Sequence, residues 1–313
     1  MKLFVYKGEF GLPSIDFECL RVLTYFKLTD LNVEIDYSCS PFHSDTGFLP
    51  YLIDEDRKYC GYDKIISHLQ KEKGYTLITS APQLSYLSEN LYPFFMYQLF
   101  GNPQNVDDTR ALYAMRTPFP FNFYYPGKYI RRTGEVCQAV STFSLEDPID
   151  QHDTAEMNFK AKKCLNWISE KLGNNEFFLN GVPSEIDATI YAYLAVIIRY
   201  QLPNNQLQAH AKQCENLVRY VNNITKKCFK DSELFESPKA KEKTKKQEQN
   251  VFTGEEDEDP PSVVRRRYIL SGLVATTAMI SYAFLSGIFS ISLADHAVDS
   301  FSFDDTNMKD DDE

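Results

Sequence analysis

Two hydroxyls lie close together early in the chain: Tyr6, which closes the apolar run KLFVY, and Ser14, which opens SIDFECLRVLTYFKL. A hydroxyl at the end of a strand or the start of a helix can polarise a bound group, but both positions have simpler uses. Tyr6 can pack as an aromatic residue. Serine is a favoured helix cap because its oxygen accepts a first-turn N–H, and these structural uses are the favoured reading. His43, His68, His152 and His210 are dispersed and show no metal-ligand spacing. His68 falls on a predicted helix and reads as a surface or core histidine. Seven cysteines (Cys19, Cys39, Cys60, Cys137, Cys164, Cys214 and Cys228) are odd in number and form no CxxC pair. That pattern fits free thiols in a reducing compartment, not a disulfide framework or a zinc site. No catalytic residue, cofactor or metal ligand is assigned. One polar pair reads as structural: Ser184 followed three residues later by Asp187 resembles a capping box, in which the hydroxyl meets a free N–H of the first turn and the carboxylate reaches back to the cap.

The elements that position these residues fall into two regions. Over residues 1–78, Lys2–Tyr6 has strand composition and stops at Gly8. Ile15, Cys19, Val22, Leu23 and Phe26 then recur at helical spacing, with Ser14 as the natural cap. LNVEIDY alternates at Leu31, Val33, Ile35 and Tyr37 as a half-buried strand. GFLPYLID supplies a strand opened by Pro50, RKYC a hairpin partner, and GYDKIISHL a second helix. Strand, helix, strand, then strand, strand, helix is the thioredoxin order. Over residues 79–236 helical patterns dominate. The stretch Ile186 to Tyr200 is apolar on nearly every side and is predicted to be the centre of an all-helical domain. CENLVRYVNNITKKCF adds an amphipathic helix with Leu217, Val218, Val221, Ile224 and Cys228 inward. Trp167, with Leu165 and Ile168, reads as core.

A thioredoxin-like domain followed by a helical domain with a capped central helix resembles the glutathione transferase fold, an α/β domain plus an all-α domain. The resemblance implies a hydroxyl or thiol near the end of the first strand to stabilise a thiolate, for which Tyr6 and Ser14 are the candidates. It also implies a Glu/Gln–Ser pair, after the proline-opened strand, to hold a γ-glutamyl group. By spacing that pair falls at Gly61–Tyr62, and neither residue replaces a carboxylate plus a hydroxyl. Pro50 is expected to take the cis bond that this fold uses there. The backbone is therefore expected to persist while the ligand site is gone. An enzyme of transferase type using Ser14 or Tyr6 is the alternative.

The far end of the chain has another character. The net charge is −11, which argues against a nucleic-acid partner. Yet Tyr268 to Ala294 carries no charge over 27 residues. As a helix this run would span roughly 40 Å, against about 30 Å of hydrocarbon, so a transmembrane tail anchor is predicted over 265–294. Arg265, Arg266 and Arg267 precede it, and Asp295, Asp299, Asp304 and Asp305 follow it. The positive-inside preference keeps the globular part in the cytosol. MKLFVYKGEF is too short an apolar run for a secretory signal, and the short tail after the anchor implies insertion after translation. Six Ser and Thr residues, from Ser271 to Ser290, dilute the run. Moderate hydrophobicity favours the mitochondrial outer membrane over the endoplasmic reticulum, although the acidic flank is atypical there. Gly272, Thr276, Ala283 and Gly287 fall near one face, a small-residue stripe where another helix could approach. Residues 237–264 are basic, then acidic, and nearly free of large apolar groups, as a flexible linker would be. Residues 295–313 form a short acidic tail.

Three stretches go beyond the general fold: YKGEFGLPSIDFECLRVLTYFKL (6–28), RTPFPFNFYYPGKYIRR (116–132) and LPNNQLQAHAKQCENLVRYV (202–221). With FFLNGVPSEIDATIYAYLA (177–195) they closely resemble the metaxin family, and the tail anchor is similar to that of its first, membrane-anchored type. The resemblance implies a non-enzymatic subunit of the mitochondrial outer-membrane sorting and assembly machinery, which inserts β-barrel precursors. The implied partners are a second metaxin, the β-barrel core subunit of that machinery and, as a further family link, mitochondrial transport adaptors. FPFNFYYPG carries a candidate docking loop: Phe119, Phe121, Phe123, Tyr124 and Tyr125. Clustered exposed aromatics mark interfaces, and a packed interdomain loop is the competing reading.

Overall fold

The structure, a computed structural model, describes residues 1–37, 40–140, 151–179 and 181–236, with the side chains of positions 151 and 152 left aside. Cys39, the linker 237–264, the anchor 265–294 with Gly272, Thr276, Ala283 and Gly287, and the tail 295–313 lie outside the described residues. Among the described residues no helix is long and apolar enough to cross a membrane.

The first strand, β1 (Lys2–Phe4), leads through α1 (Phe17–Leu28) to β2 (Glu34–Asp36), parallel to β1. A hairpin of β3 (Tyr51–Asp54) and β4 (Arg57–Cys60) then adds antiparallel to the other edge of β1, and α2 (Tyr62–Glu72) follows. The order in space is β2-β1-β3-β4. Leu3 lies opposite both Ile35 and Leu52. Leu3 and Leu52 are fully buried, so the central register is set by their shared burial on one face of the pleat. The Leu49–Pro50 peptide bond is cis.

The sequence predicts Ser14 as the cap of α1, but the cap is Asp16. Its Oδ2 accepts from Cys19 N at 3.1 Å, while Ser14 Oγ accepts from Asp16 N at 3.3 Å. Ser14 thus shapes the turn that delivers the carboxylate, and an ionisable cap two residues later meets the positive end of the helix.

The helical region comprises α3 (Ala81–Asn90), α4 (Tyr92–Met96) running into a π-turn at Tyr97–Gly101, α5 (Val106–Ala114), α6 (Tyr125–Val140), α7 (Gln151–Leu172), α8 (Glu185–Arg199), α9 (Gln206–Gln213) and α10 (Glu215–Cys228). The middle of this region is α8, buried from Glu185 to Ile198. A helix apolar on nearly every side can be stable only when surrounded. Its start is fastened by Asp187, which is fully buried. That carboxylate accepts from Ser184 N at 3.0 Å, Phe178 N at 2.7 Å and Tyr220 Oη at 2.9 Å, with the Ser184 hydroxyl turned onto it as well. The pair therefore ties α8 to the preceding turn and to α10.

The two regions share one core. Phe17 of α1 packs on Tyr193 of α8, ring centroids 4.2 Å apart, and Arg21 Nε donates to Thr189 Oγ1 at 3.3 Å. Trp167, expected in the core, is half-buried between Tyr86 and Phe178.

Candidate functional site

The two hydroxyls that a transferase would turn towards its thiol are enclosed. Tyr6 is 2 % exposed and Ser14 is fully buried. Next to them Asp16 Oδ1 accepts from the hydroxyls of Tyr113 and Tyr129, each at 3.1 Å. Tyr6 meets Tyr113 edge-on at 5.2 Å, and Tyr129 stacks on Phe100 at 5.0 Å. The Tyr200 hydroxyl donates to Ile15 O and closes the far side. The result is an aromatic plug around one carboxylate, built from β1, α1, α5, α6 and the end of α8.

Its electrostatics oppose thiol activation. Burial pushes the Tyr6 phenol well above its ordinary value, and the nearby Asp16 adds to the shift. Tyr113, Tyr129 and Tyr200 are raised for the same two reasons. Burial also lifts Asp16 to about 6, against the opposing pull of its Cys19 and Tyr113 hydrogen bonds. A hydroxyl that stabilises a thiolate must reach it and favour the negative charge. These hydroxyls are enclosed, already donating or packed, and surrounded by groups that resist charge.

The second recognition position is also occupied. Gly61, with φ +84°, donates its N–H to Pro50 O at 3.0 Å. Tyr62 is buried, and its hydroxyl donates to Glu185 Oε1 at 3.2 Å. The Arg21 guanidinium lies 3.6 Å over the Tyr62 ring, while Thr79 Oγ1 donates to Glu185 Oε2 at 2.7 Å. Where a γ-glutamyl group would dock, the chain has a contact between α2 and α8.

The distinctive sequence stretches fasten one another. Arg116 forms an ion pair with Glu9 and donates from Nε to Lys7 O at 3.0 Å. Gly8 allows the loop to fold that tightly, since a Cβ there would sit 1.9 Å from Leu12 O. Farther on, Asn105 is fully buried; its Nδ2 donates to Gln98 O at 2.8 Å and to Asn204 O at 2.6 Å, and its Oδ1 accepts from Asn204 N at 2.9 Å.

Outside the plug, the aromatic loop divides. Phe119, Phe123 and Tyr124 are 76 %, 69 % and 55 % exposed. Phe121 is half-buried beneath Phe42, ring centroids 4.7 Å apart. Tyr125 departs from the docking expectation: it is buried and opens α6, because an aromatic in the first turn points back against the loop it leaves. Phe42, from the loop between β2 and β3 and stacked on Phe121, adds exposed apolar surface that sequence reasoning missed. Lys128 and Arg131 place their cationic heads 5.6 and 5.8 Å from the Tyr124 ring. We term this surface the aromatic ledge.

The remaining candidates are structural. His68 is buried, with Nε2 2.9 Å from Asp54 Oδ2, and stacks on Tyr59 at 3.9 Å. Burial works to raise the Asp54 carboxyl, but hydrogen bonds from Lys73 and His68 win and hold it below its usual value. His43 follows Phe42 in the loop, and His210 Nε2 meets Asn166 Oδ1 at 2.8 Å. Burial raises the thiols of Cys137, Cys164 and Cys228, to about 11, about 12 and about 11, which makes them poor nucleophiles. Among the described residues no group of histidine, cysteine and acidic side chains could hold a metal ion.

The four-stranded sheet with its βαβ–ββα order, the cis-proline before β3 and the capped central helix define a protein of glutathione transferase-like fold. Residues 161–224 match the model of the glutathione S-transferase C-terminal domain. A β-etherase from Sphingobium aligns over 78 % of this chain and 98 % of its own, at 14 % identity and a TM-score of 0.46. Residues 19–130 match the family described as outer mitochondrial membrane transport complex protein. A metaxin-1 homolog of Drosophila melanogaster is 41 % identical over 92 % of this chain and 90 % of its own length. Metaxin-1 of Mus musculus is 35 % identical over 93 % and 92 %, and metaxin-3 of Danio rerio 28 % over 74 % and 77 %. The chain belongs to the metaxin family. With the family come its place at the mitochondrial outer membrane and its role as a subunit of a transport complex there.

Proposed function

We propose that this chain is a non-enzymatic subunit of the sorting and assembly machinery, supporting the insertion of β-barrel precursors through protein contacts. The observation that carries this reading is the aromatic plug: Tyr113 and Tyr129, both donating to Asp16, fill the space a bound thiol would need. A head whose candidate hydroxyls are enclosed in this way works through its outer surface. The aromatic ledge is the surface we assign to docking, because exposed aromatics beside cations form the centres of tight interfaces. The partners are a second metaxin and the β-barrel core subunit. Tyr268 to Ala294 anchors the head, with the arginine-flanked side and therefore the globular part in the cytosol.

Affinity purification of the full-length chain from mitochondria in mild detergent tests this reading. A second metaxin and a β-barrel membrane subunit are expected to co-purify; recovery of the chain without either would contradict it. Deleting residues 265–313 is expected to release the head to the cytosol.

A further inference from the structure

A cleft of about 520 Å³ opens beside the π-turn, between that turn, α7 and the loop that leads into α9. Its size is within the roughly 300–1,000 Å³ of ligand-binding clefts. Phe94, Tyr97 and Gln98 contribute from the α4 side, where the backbone departs from α-helical geometry, and π-turns inside helices gather at functional sites. The rest of the wall is unusual in chemistry. Among the described residues no charged side chain lines it. Besides Gln98, five side-chain amides line it: Asn102, Gln104, Asn158, Asn204 and Gln206.

Each of those amides is half committed. Asn102 Oδ1 accepts from Gln104 N at 2.9 Å. Gln104 Oε1 accepts from Asn204 Nδ2 at 2.8 Å, and Gln206 Oε1 accepts from Asn158 Nδ2 at 2.5 Å. These bonds fix the planes of the amides. They leave Asn102 Nδ2, Gln104 Nε2 and Gln206 Nε2 as donors, and Asn204 Oδ1 as an acceptor, without partners among the described residues. Asn158 Oδ1 is shut away from water with no partner there either. An orphaned buried acceptor in a native fold calls for an explanation. The loop that carries Asn204 is itself anchored through its backbone by the buried Asn105 and Gln98.

Oriented donors and acceptors without charge, beside two aromatic rings, match one class of ligand best. A polypeptide main chain in extended form presents an N–H and a C=O at every residue, and a side-chain amide reproduces the peptide group's own donor and acceptor. We propose that this cleft binds an extended polypeptide segment through its main-chain amides, largely irrespective of its side chains. This goes beyond the assembly-subunit reading and does not depend on it, since co-purification with membrane partners reports on other surfaces.

The test uses the full-length chain in mild detergent and a fluorescent short peptide of alternating valine and threonine, followed by anisotropy. A second peptide has the same side chains but is N-methylated at alternate peptide nitrogens, which removes main-chain donors. Saturable binding of the first is expected, weakened by about tenfold for the second, equivalent to ~1.4 kcal/mol. The double variant Gln104→Ala, Gln206→Ala changes two exposed residues and is expected to weaken binding about tenfold as well. A photoreactive phenylalanine analogue in place of Ala155, an exposed wall residue, leaves every amide in place and is expected to crosslink the bound peptide. Equal binding of both peptides, absence of saturable binding, no crosslink at position 155, or loss of binding only on Phe119→Ser, Phe123→Ser would each overturn the proposal.

Discussion

The plug at the start of α1 and the ledge at the start of α6 use the same residue types to opposite ends. In the plug, Tyr6, Tyr113, Tyr129 and Tyr200 are at most 5 % exposed, and the hydroxyls of the last three end on protein acceptors. In the ledge, Phe119, Phe123 and Tyr124 are more than half exposed, with the cations Lys128 and Arg131 beside the Tyr124 ring. Buried tyrosines need partners, and once they have them they add rigidity rather than reactivity. Exposed phenylalanines keep apolar area in water that only a partner can remove. One region spends its aromatic rings on internal structure; the other leaves them at a surface.

That contrast breaks at its carboxylate first. Asp16→Ala removes the cap of α1 and leaves two enclosed tyrosine hydroxyls without acceptors, a loss of about 3 kcal/mol or more. The unfolding midpoint of the full-length chain in mild detergent should fall by roughly 10 °C; a fall of a degree or two would mean that the plug is not what holds this corner. A pH series sharpens the same point. Asp16 sits at about 6 in the fold against about 3.9 unfolded, so the folded state holds its proton more tightly. The favourable contribution is complete below about pH 4 and disappears as pH rises through 6. Asp16→Asn keeps a capping oxygen and carries no charge. The stability of the wild type relative to this variant should therefore decline from pH 4 to 7, by up to roughly 3 kcal/mol, as read by denaturant midpoints. An unchanged difference across that range would contradict the buried carboxylate. The smallest effect on stability belongs to the ledge. Phe119→Ser with Phe123→Ser should move the unfolding free energy by no more than about 0.5 kcal/mol, while recovery of membrane partners in the purification drops by about tenfold or more.

Some of this was legible in the residues and some was not, for physical reasons. Local patterns carried the strand and helix order, the alternation around Ile35 and the Ser184–Asp187 cap of α8, because short-range spacing dictates them. The missing transferase pair at Gly61–Tyr62 was visible because it rests on two residue types at a fixed distance from Pro50. What those positions do instead was not visible. Tyr62 reaches Glu185 and Asp16 reaches Tyr113 and Tyr129 across more than ninety residues, and no local pattern records such a partner. The cap of α1 moved from Ser14 to Asp16 because two good capping residues compete within three positions. The ledge gained Phe42 for the same reason that the amide cleft went unseen. Each depends on how separate loops meet, as Gln104 and Asn204 do.

The central claim is that the place where a transferase would bind glutathione is occupied by the protein's own side chains. Calorimetric titration of glutathione into the full-length protein, in mild detergent near neutral pH, tests it most directly. The plug predicts no saturable heat up to concentrations on the order of millimolar, where the binding free energy would be only about −4 kcal/mol. Saturation in the micromolar range, lost on Tyr6→Phe or Ser14→Ala, would mean that the pocket opens and that the head is still an enzyme's binding site.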